Sequence, residues 1–336
     1  SKVDGTGIVH IAPGHGEEDY QYGYLANGLP VLSPVNEKGR FIEESEVAER
    51  QFVGEKEHPE FKNVHVFKAN PAIIDLLKKK NALLHEEDHP HSYPHCWRCK
   101  KPIIFRATKQ WFMKIDHDRL REKMLKAIRE EIKFTPDWGK NRIGSMVETR
   151  PDWCLSRQRY WGVPIPIIRC TNCGKTFVAE TQETVVRLFK EHGADVWFEK
   201  EAGELLSRDN NLVCCANQVL KKEEDIIDVW FDSGVSHQAV LRKISELGYP
   251  ADLYLEGSDQ HRGWFQSSLT TAMVLEGSSP FKGVLTHGFV VDGEGRKMSK
   301  SLENVIAPQE VTQEFGADVL RLWVAACDYE FDVRLS

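Results

Sequence analysis

No run of about 18 uninterrupted apolar residues occurs in this chain, so the sequence offers no membrane span. The first residues, Ser1-Lys2-Val3-Asp4-Gly5, lack the apolar core of a secretory leader and read as a chain entered in mid-domain. A G-x-x-x-x-G-K-[ST] loop is missing, as is a G-x-G-x-x-G turn after a strand, so any phosphate chain must be held by other means. Internal repeats and low-complexity segments are also absent. Positive charge is not in excess: 44 Lys and Arg against 51 Asp and Glu leave a net charge of −7. That balance argues against indiscriminate nucleic-acid binding but leaves a local basic face open, because association follows local potential. Lys109 to Arg159 is such a segment, readable as a face for a nucleic-acid backbone or as a solvated helix.

What is present is an ordinary globular balance, 41% hydrophobic and 28% charged over 336 residues. That length suits two domains, or one with a large insertion. There are eight cysteines, several in close pairs. Without a leader, close pairs suggest metal ligation or free thiols more than disulfides. Cys96-Trp97-Arg98-Cys99 and Cys170-Thr171-Asn172-Cys173 both have zinc-knuckle spacing. Cys214 and Cys215 could complete a tetrahedral set with Cys170 and Cys173. Cys96 and Cys99 have no obvious second pair; His91, His95 or a pair outside the chain are the alternatives. Cys154 and Cys327 read as core residues.

Strand-like runs are Ile8 to Ala12, Val31 to Val35, Val64 to Phe67, Asp228 to Phe231, Asp252 to Glu256 and Val284 to Val291. Helical spacing runs from Asn70-Pro71 to about Lys80, and through Leu120, Met124, Leu125, Ile128 and Ile132. Ser258 or Asp259 is placed to cap a helix reaching about Leu275, and Pro308 opens another containing Val311, Phe315, Val319, Leu322 and Trp323. Cys170 to Cys215 has its own composition and suggests an inserted module. Strand, helix, strand, loop, helix predicts a parallel α/β sheet with its ligand at the carboxyl ends of the strands.

Three segments could carry chemistry there. Asp292-Gly293-Glu294-Gly295-Arg296 is a glycine-broken turn, followed by Lys297-Met298-Ser299-Lys300-Ser301. Two lysines on a mobile loop suit a pyrophosphate that gathers charge as it leaves, and they accelerate reaction if they hold the transition state best. Leu255 to Phe265 puts Glu256 at a strand end, polar residues over a helix start, then aromatics, a plausible pocket for an α-amino acid. Gly5 to Tyr20 sets a histidine and a carboxylate about a glycine turn, which could line a small polar pocket or be purely structural.

Taken in order, these stretches resemble the isoleucyl-tRNA synthetases among the class I aminoacyl-tRNA synthetases. GTGIVHIAPGHGEEDY (5–20) resembles the end of that family's editing motif, and DWCLSRQRYWGVPIP (152–166) its re-entry into the catalytic domain. DVWFDSG (228–234), EGSDQHRGWF (256–265) and the KMSKS loop follow, and DYEFDVRLS (328–336) resembles the junction to the anticodon-binding helices. The resemblance implies roles. Glu256, Gly257, Asp259, Gln260 and Trp264 would line the isoleucyl-adenylate pocket. Lys297, Ser299 and Lys300 would hold ATP, with the two lysines catalytic, and His287-Gly288 would sit beside the nucleotide. In editing, Asp19 would hold the amino group of a mischarged valine, and His10 would lie at its side-chain end. One methylene is worth only ~1–3 kcal/mol in an apolar pocket, a limit for which the isoleucyl enzyme is itself the established case, so a second hydrolytic site is needed.

The histidine motif and the threonine-rich editing segment of that family do not occur in these residues. The expectation is therefore an internal segment: 1–90, the end of a β-rich editing domain; 91–150, a basic helical connector; 151–327, the second half of a Rossmann-like parallel sheet; 328–336, the junction. Within 151–327 lie a zinc-ribbon-like insertion at about 168–222 and the lysine loop at 292–304. The expected parent is a cytoplasmic isoleucine–tRNA ligase using ATP with Mg2+, isoleucine and tRNA(Ile), with structural zinc and no membrane. The segment alone would be inactive in aminoacylation. A valyl-type segment and a non-catalytic tRNA- or zinc-binding fragment are the alternatives.

Overall fold

The structure is a computed structural model that describes residues 7–42, 61–206 and 214–335. It forms two compact units, Ser1–Lys109 and Gln110–Ser336.

In the first unit, Ile8 to Ala12 forms no strand among the described residues, and Ile8 and Val9 are 88% and 64% exposed. The strand expected at Val31 to Val35 reduces to a single bridge, Val35 to Phe41. Val64 to Phe67, expected as a strand, instead leads into the helix Val66–Lys79. A short apolar run cannot tell strand from helix, and here it extends the amphipathic pattern of the residues that follow. Lys78 and Lys79 in the last turn suit the negative end of the helix dipole. The glycine turn after Ala12 is tight because a Cβ on Gly14 would lie 1.9 Å from the Leu32 carbonyl oxygen.

The second unit is built on a parallel sheet of β1 (Lys133–Thr135), β2 (Tyr254–Gly257) and β3 (Gly283–His287), with β3 in the centre. Val284 pairs with both Phe134 and Tyr254, which fixes the register across all three strands. Helices α1 (Leu120–Glu130), α2 (Trp138–Glu148) and α3 (Trp264–Leu275) cover the sheet. α1 buries Leu120, Met124, Ala127 and Ile128 at helical spacing. Each fully buried Leu, Ile, Phe or Met contributes roughly 1.5–3 kcal/mol of transfer free energy. α3 is buried from Phe265 to Met273, so its hydroxyls bond inward: Thr270 Oγ1 donates to the Gln266 carbonyl (2.7 Å) and Thr271 Oγ1 to that of Gly234 (2.8 Å).

Several boundaries differ from the sequence reading for local reasons. Asp228 to Phe231 is not a strand; the strand is Ile226–Ile227, and Asp228 caps the helix Val229–Gly234 by accepting from the Trp230 N–H (3.2 Å). Neither Ser258 nor Asp259 caps the long helix. Ser258–His261 is a separate turn, and Gln260 Oε1 accepts from the Trp264 N–H that opens α3 (2.9 Å). Between them, a Cβ on Gly263 would lie 2.5 Å from Gln260 Oε1 and 2.9 Å from the Trp230 ring. The strand expected at Val284 to Val291 breaks after His287, and Val290–Val291 (β4) pairs in parallel with Val333–Arg334. The helix from Pro308 stops at Phe315 and resumes at Ala317, because Gly316 has φ 84°. No helix among the described residues is long and apolar enough to cross a membrane.

A separate antiparallel sheet runs Thr176–Phe177, Ile168–Cys170, Leu220–Lys222. With the helix Ala179–His192 it encloses its own core of Ile168, Phe177, Val185, Leu188, Trp197 and Leu205.

Candidate active site

Glu256 and His287 stand at the carboxyl ends of β2 and β3. The parallel register pairs Glu256 with Thr286 and Gly257 with His287. His287 Nε2 lies 3.9 Å from Glu256 Oε2, and His287 Nδ1 is 2.7 Å from the Gly288 carbonyl oxygen. Glu256 also accepts from its neighbour's Gly257 N–H (3.0 Å). Gly257 is buried, and a Cβ there would meet the Phe289 ring at 3.0 Å, so backbone and aromatic edge touch directly.

Two residues before Glu256 on the same strand, Tyr254 begins an aromatic cluster. Trp264 stacks on Tyr254 with ring centroids 4.0 Å apart and planes 10° from parallel. Its indole Nε1–H donates to the Ser233 carbonyl (3.0 Å) and lies 3.2 Å from Ser236 Oγ, so the ring is held at its N–H as well as on its stacked face. Asp259 is exposed, and Gln260 Nε2 lies 3.4 Å from its carboxylate. The structure thus gathers Glu256, Gly257, Asp259, Gln260, Trp264 and His287 at one end of the sheet.

Behind Trp264, His261 is fully buried between Trp138 and Phe265, with Nδ1 facing the Ser258 carbonyl oxygen (3.0 Å) and Nε2 facing Thr286 Oγ1 (3.4 Å). Burial pushes its pKa down, which keeps the ring neutral.

The lysine loop leaves β4. Val291 bridges back to Lys297, and Lys297 Nζ lies 5.8 Å from the centroid of the Phe289 ring. Phe289 therefore touches both the loop lysine and the backbone beside Glu256. Lys297 and Lys300 are exposed, and among the described residues neither forms an ion pair. Asp292 is buried at the loop base, and its pKa is held down to about 2, first by the Asn304 amide and then by the Arg296 N–H. Sequence reading passed over Asp292, Phe289 and Asn304. The available signal was an aspartate ahead of a glycine turn, the usual place for a side chain that ties down its own backbone.

Gly288 joins β3 to β4 and donates to the Tyr329 carbonyl (2.8 Å). Asp332 Oδ1 accepts from the Phe289 N–H (2.7 Å). The segment 329–335 thus buttresses the nucleotide-side turn expected at His287-Gly288.

In the first unit, Asp19 Oδ2 accepts from the Ala12 N–H (2.9 Å), across the glycine turn. His10 is exposed in the extended segment just before it. Gly5 and Thr6 of that motif lie outside the described residues.

Cys170, Cys173, Cys214 and Cys215 bring their sulfurs within 4.8 Å of one another. Cys173 and Cys214 are 3.3 Å apart, Cys170 and Cys215 3.8 Å. Backbone N–H groups, that of Cys173 foremost, lower the Cys170 thiol to about 6, while burial pushes Cys214 up to about 12. Four soft donors at this separation fit a tetrahedral zinc. Cys96 and Cys99 lie in a turn closed by the Lys100 N–H on the Cys96 carbonyl (2.7 Å), and no third ligand joins them among the described residues.

Comparison with known proteins gives one consistent result. The family model for tRNA synthetases class I (I, L, M and V) matches residues 18–336. The isoleucine–tRNA ligase of Thermotoga petrophila is 50% identical over 333 residues, 99% of this chain and 35% of its own length. That of Caldanaerobacter subterraneus subsp. tengcongensis is 54% identical over 334 residues, 99% of this chain and 34% of its own. The chain spans about a third of the length of the curated relatives it matches. Among solved structures, a methionyl-tRNA synthetase from Mycobacterium tuberculosis bound by methionyl-adenylate aligns over 72% of this chain and 38% of its own, with TM-score 0.46 and 17% identity.

Proposed function

Because this chain belongs to the class I tRNA synthetases, we propose that it is a segment of an isoleucine–tRNA ligase. The observation that carries this is identity of 50% or more, along 99% of the chain, to proteins so named. The reaction has two steps. A carboxylate oxygen of isoleucine attacks the α-phosphorus of ATP, and the bond to the bridging β-oxygen breaks, releasing pyrophosphate. A terminal ribose hydroxyl of tRNA(Ile) then attacks the acyl carbon, and AMP leaves.

The residues at the sheet end suit the first step. Glu256 and the polar residues after it contact the aminoacyl-adenylate, with Trp264 as a fixed wall. Lys297 and Lys300 are exposed cations with no competing ion pair among the described residues, placed to take up charge that grows on the departing pyrophosphate. Ser299, His287 and Gly288 complete the nucleotide side, and ATP brings its own Mg2+. The first unit, as the end of an editing domain, contributes Asp19 and His10 to hydrolysis of mischarged valine. Residues 110–150, expected as a connector, supply β1, α1 and α2 to the same fold as 151–327, and 328–336 begin the anticodon-side junction. Zinc, where bound by the four cysteines, ties the ends of the inserted ribbon together and does no chemistry. A cytoplasmic place follows from the function.

Amino-acid-dependent exchange of pyrophosphate into ATP tests the assignment. The full-length ligase is expected to exchange with isoleucine far better than with valine, leucine or methionine, and Glu256→Ala and Lys300→Ala to lower that exchange about a hundredfold or more. Exchange driven best by valine would reassign the segment to a valyl-type enzyme, and activity indifferent to both substitutions would remove the site. The 336-residue chain by itself is expected to exchange nothing.

A further inference from the structure

The loop that carries Lys297 and Lys300 is not held by its own backbone alone. Asp292, 7% exposed, accepts from the Glu294 N–H (3.0 Å), the Arg296 N–H (2.8 Å), Arg296 Nε (2.9 Å) and Asn304 Nδ2 (2.8 Å). Asn304 in turn accepts from the Ser299 N–H at Oδ1 (2.9 Å), and its Nδ2 also reaches the Lys297 carbonyl oxygen (3.3 Å). One amide therefore spans the loop, with its carbonyl on the backbone just before Lys300 and its amino group on the buried carboxylate and on Lys297 itself.

We propose that Asn304, anchored on Asp292, is a positioning residue that sets the loop geometry in which Lys297 and Lys300 receive a nucleotide's phosphates. This rests on the reading of the loop as the ATP side of the site. The chemistry favours the role over general packing. Asn304 is half-buried, its bonds are polar, and besides the one to Asp292 they go to backbone atoms of Lys297 and of Ser299 just before Lys300. Two like charges on a short exposed loop repel, by up to about 1 kcal/mol in water, and a hold on both flanks offsets that repulsion. A neutral amide does so without neutralising either lysine, which a carboxylate at 304 would not. Asp292 cannot be the sole anchor, since its other bonds go only to residues before Lys297.

Two readouts test this. In this chain, Asn304→Ala is expected to speed trypsin cleavage after Lys297 and Lys300 about tenfold, with cleavage elsewhere and the unfolding midpoint unchanged. In the full-length ligase, the same substitution should lower kcat/KM for ATP in isoleucine-dependent exchange about tenfold or more and leave KM for isoleucine alone. Asn304→Asp, which opposes two carboxylates, should be worse in both, and Asp292→Asn combined with Asn304→Asp should recover part of the loss by restoring a donor opposite an acceptor. Unchanged cleavage, or faster cleavage with unchanged kcat/KM for ATP, overturns the proposal. If Asn304→Ala lowers the unfolding midpoint, the comparison of Asn304→Asp with its double variant decides, and absence of recovery counts against the proposal. If Lys300→Ala leaves exchange intact, the ATP-side reading fails instead; if Lys300→Ala abolishes exchange while Asn304→Ala is silent, only the positioning role fails.

Discussion

Replacing Gly288 by alanine puts a methyl carbon 2.1 Å from the Phe331 carbonyl oxygen, 2.2 Å from its carbon and 2.6 Å from the Asp332 nitrogen. All three are backbone atoms, so no side-chain rotation relieves the contact. Besides the ladder between Val290–Val291 and Val333–Arg334, the segment 329–335 is docked here by four hydrogen bonds: Gly288 N–H to Tyr329 (2.8 Å), Val333 N–H to Phe289 (2.8 Å), Leu335 N–H to Val291 (2.9 Å) and Phe289 N–H to Asp332 Oδ1 (2.7 Å). If the segment detaches, the loss is about 0.5–1.5 kcal/mol per bond, some 2–6 kcal/mol for these bonds alone. Keeping it docked means strain, which ordinary overpacking sets at about 1–3 kcal/mol and which a 2.1 Å contact pushes to the upper end. The molecule takes the cheaper course, so Gly288→Ala should destabilise the second unit by about 2–4 kcal/mol. At roughly 2–4 °C per kcal/mol for a unit of this size, the unfolding midpoint drops by roughly 5–15 °C. Urea unfolding followed by tryptophan fluorescence measures the first quantity and a thermal scan the second. Amide exchange at Phe289, Val333 and Leu335 tells whether the segment has come off. A variant within 0.5 kcal/mol of the parent, with those amides equally protected, would refute the reasoning.

Two further outcomes follow from buried and clustered groups. His261 has a folded pKa lowered by burial, so in the window below its unfolded value of about 6.5 the unfolded chain binds the extra proton; the stability contributed by the neutral ring is present above that value and lost as pH falls through it. Unfolding free energy should therefore fall between about pH 7 and pH 5, and His261→Gln should flatten part of that slope; an unchanged slope rejects the assignment. For the cysteines, the purified chain should carry about one zinc in the ribbon, and Cys170→Ser should remove it, as measured by metal analysis; unchanged zinc rules that set out.

The parallel sheet was legible because Asp252 to Glu256 and Val284 onward alternate with a helix of plainly different period. Glu256 and the lysine loop were likewise legible, since their residue types announce charge at strand ends. What failed were short apolar runs, where the decision belonged to one neighbour. Asp228 ended a strand and began a helix because its side chain could reach the Trp230 N–H, and Val66 and Phe67 joined a helix because the residues after them continued its face. β1, Lys133–Thr135, was not foreseen: three residues carry no periodicity, and only β3 beside them makes them a strand. The four-thiol cluster was legible as a candidate set, since one C-x-x-C announces two ligands and Cys214-Cys215 offers two more, and folding brings the four sulfurs within 4.8 Å of one another. Asn304 was invisible in sequence because its partners lie before and within the loop, up to 12 residues away.

The order of strands has a kinetic consequence. β2 and β3 pair across about 30 residues, with α3 between them, whereas β1 pairs with the same central strand across about 150. Closing the longer loop costs roughly 1.4 kcal/mol more in chain entropy, since the penalty grows as 1.5 RT times the logarithm of loop length. Refolding should then run from the inside out. The β2–α3–β3 crossover unit, which holds Glu256 and His287, condenses first as a template, and β1 adds to an edge already formed. The inserted ribbon, with a core of its own, folds on its own schedule and shortens the effective span that β1 must close.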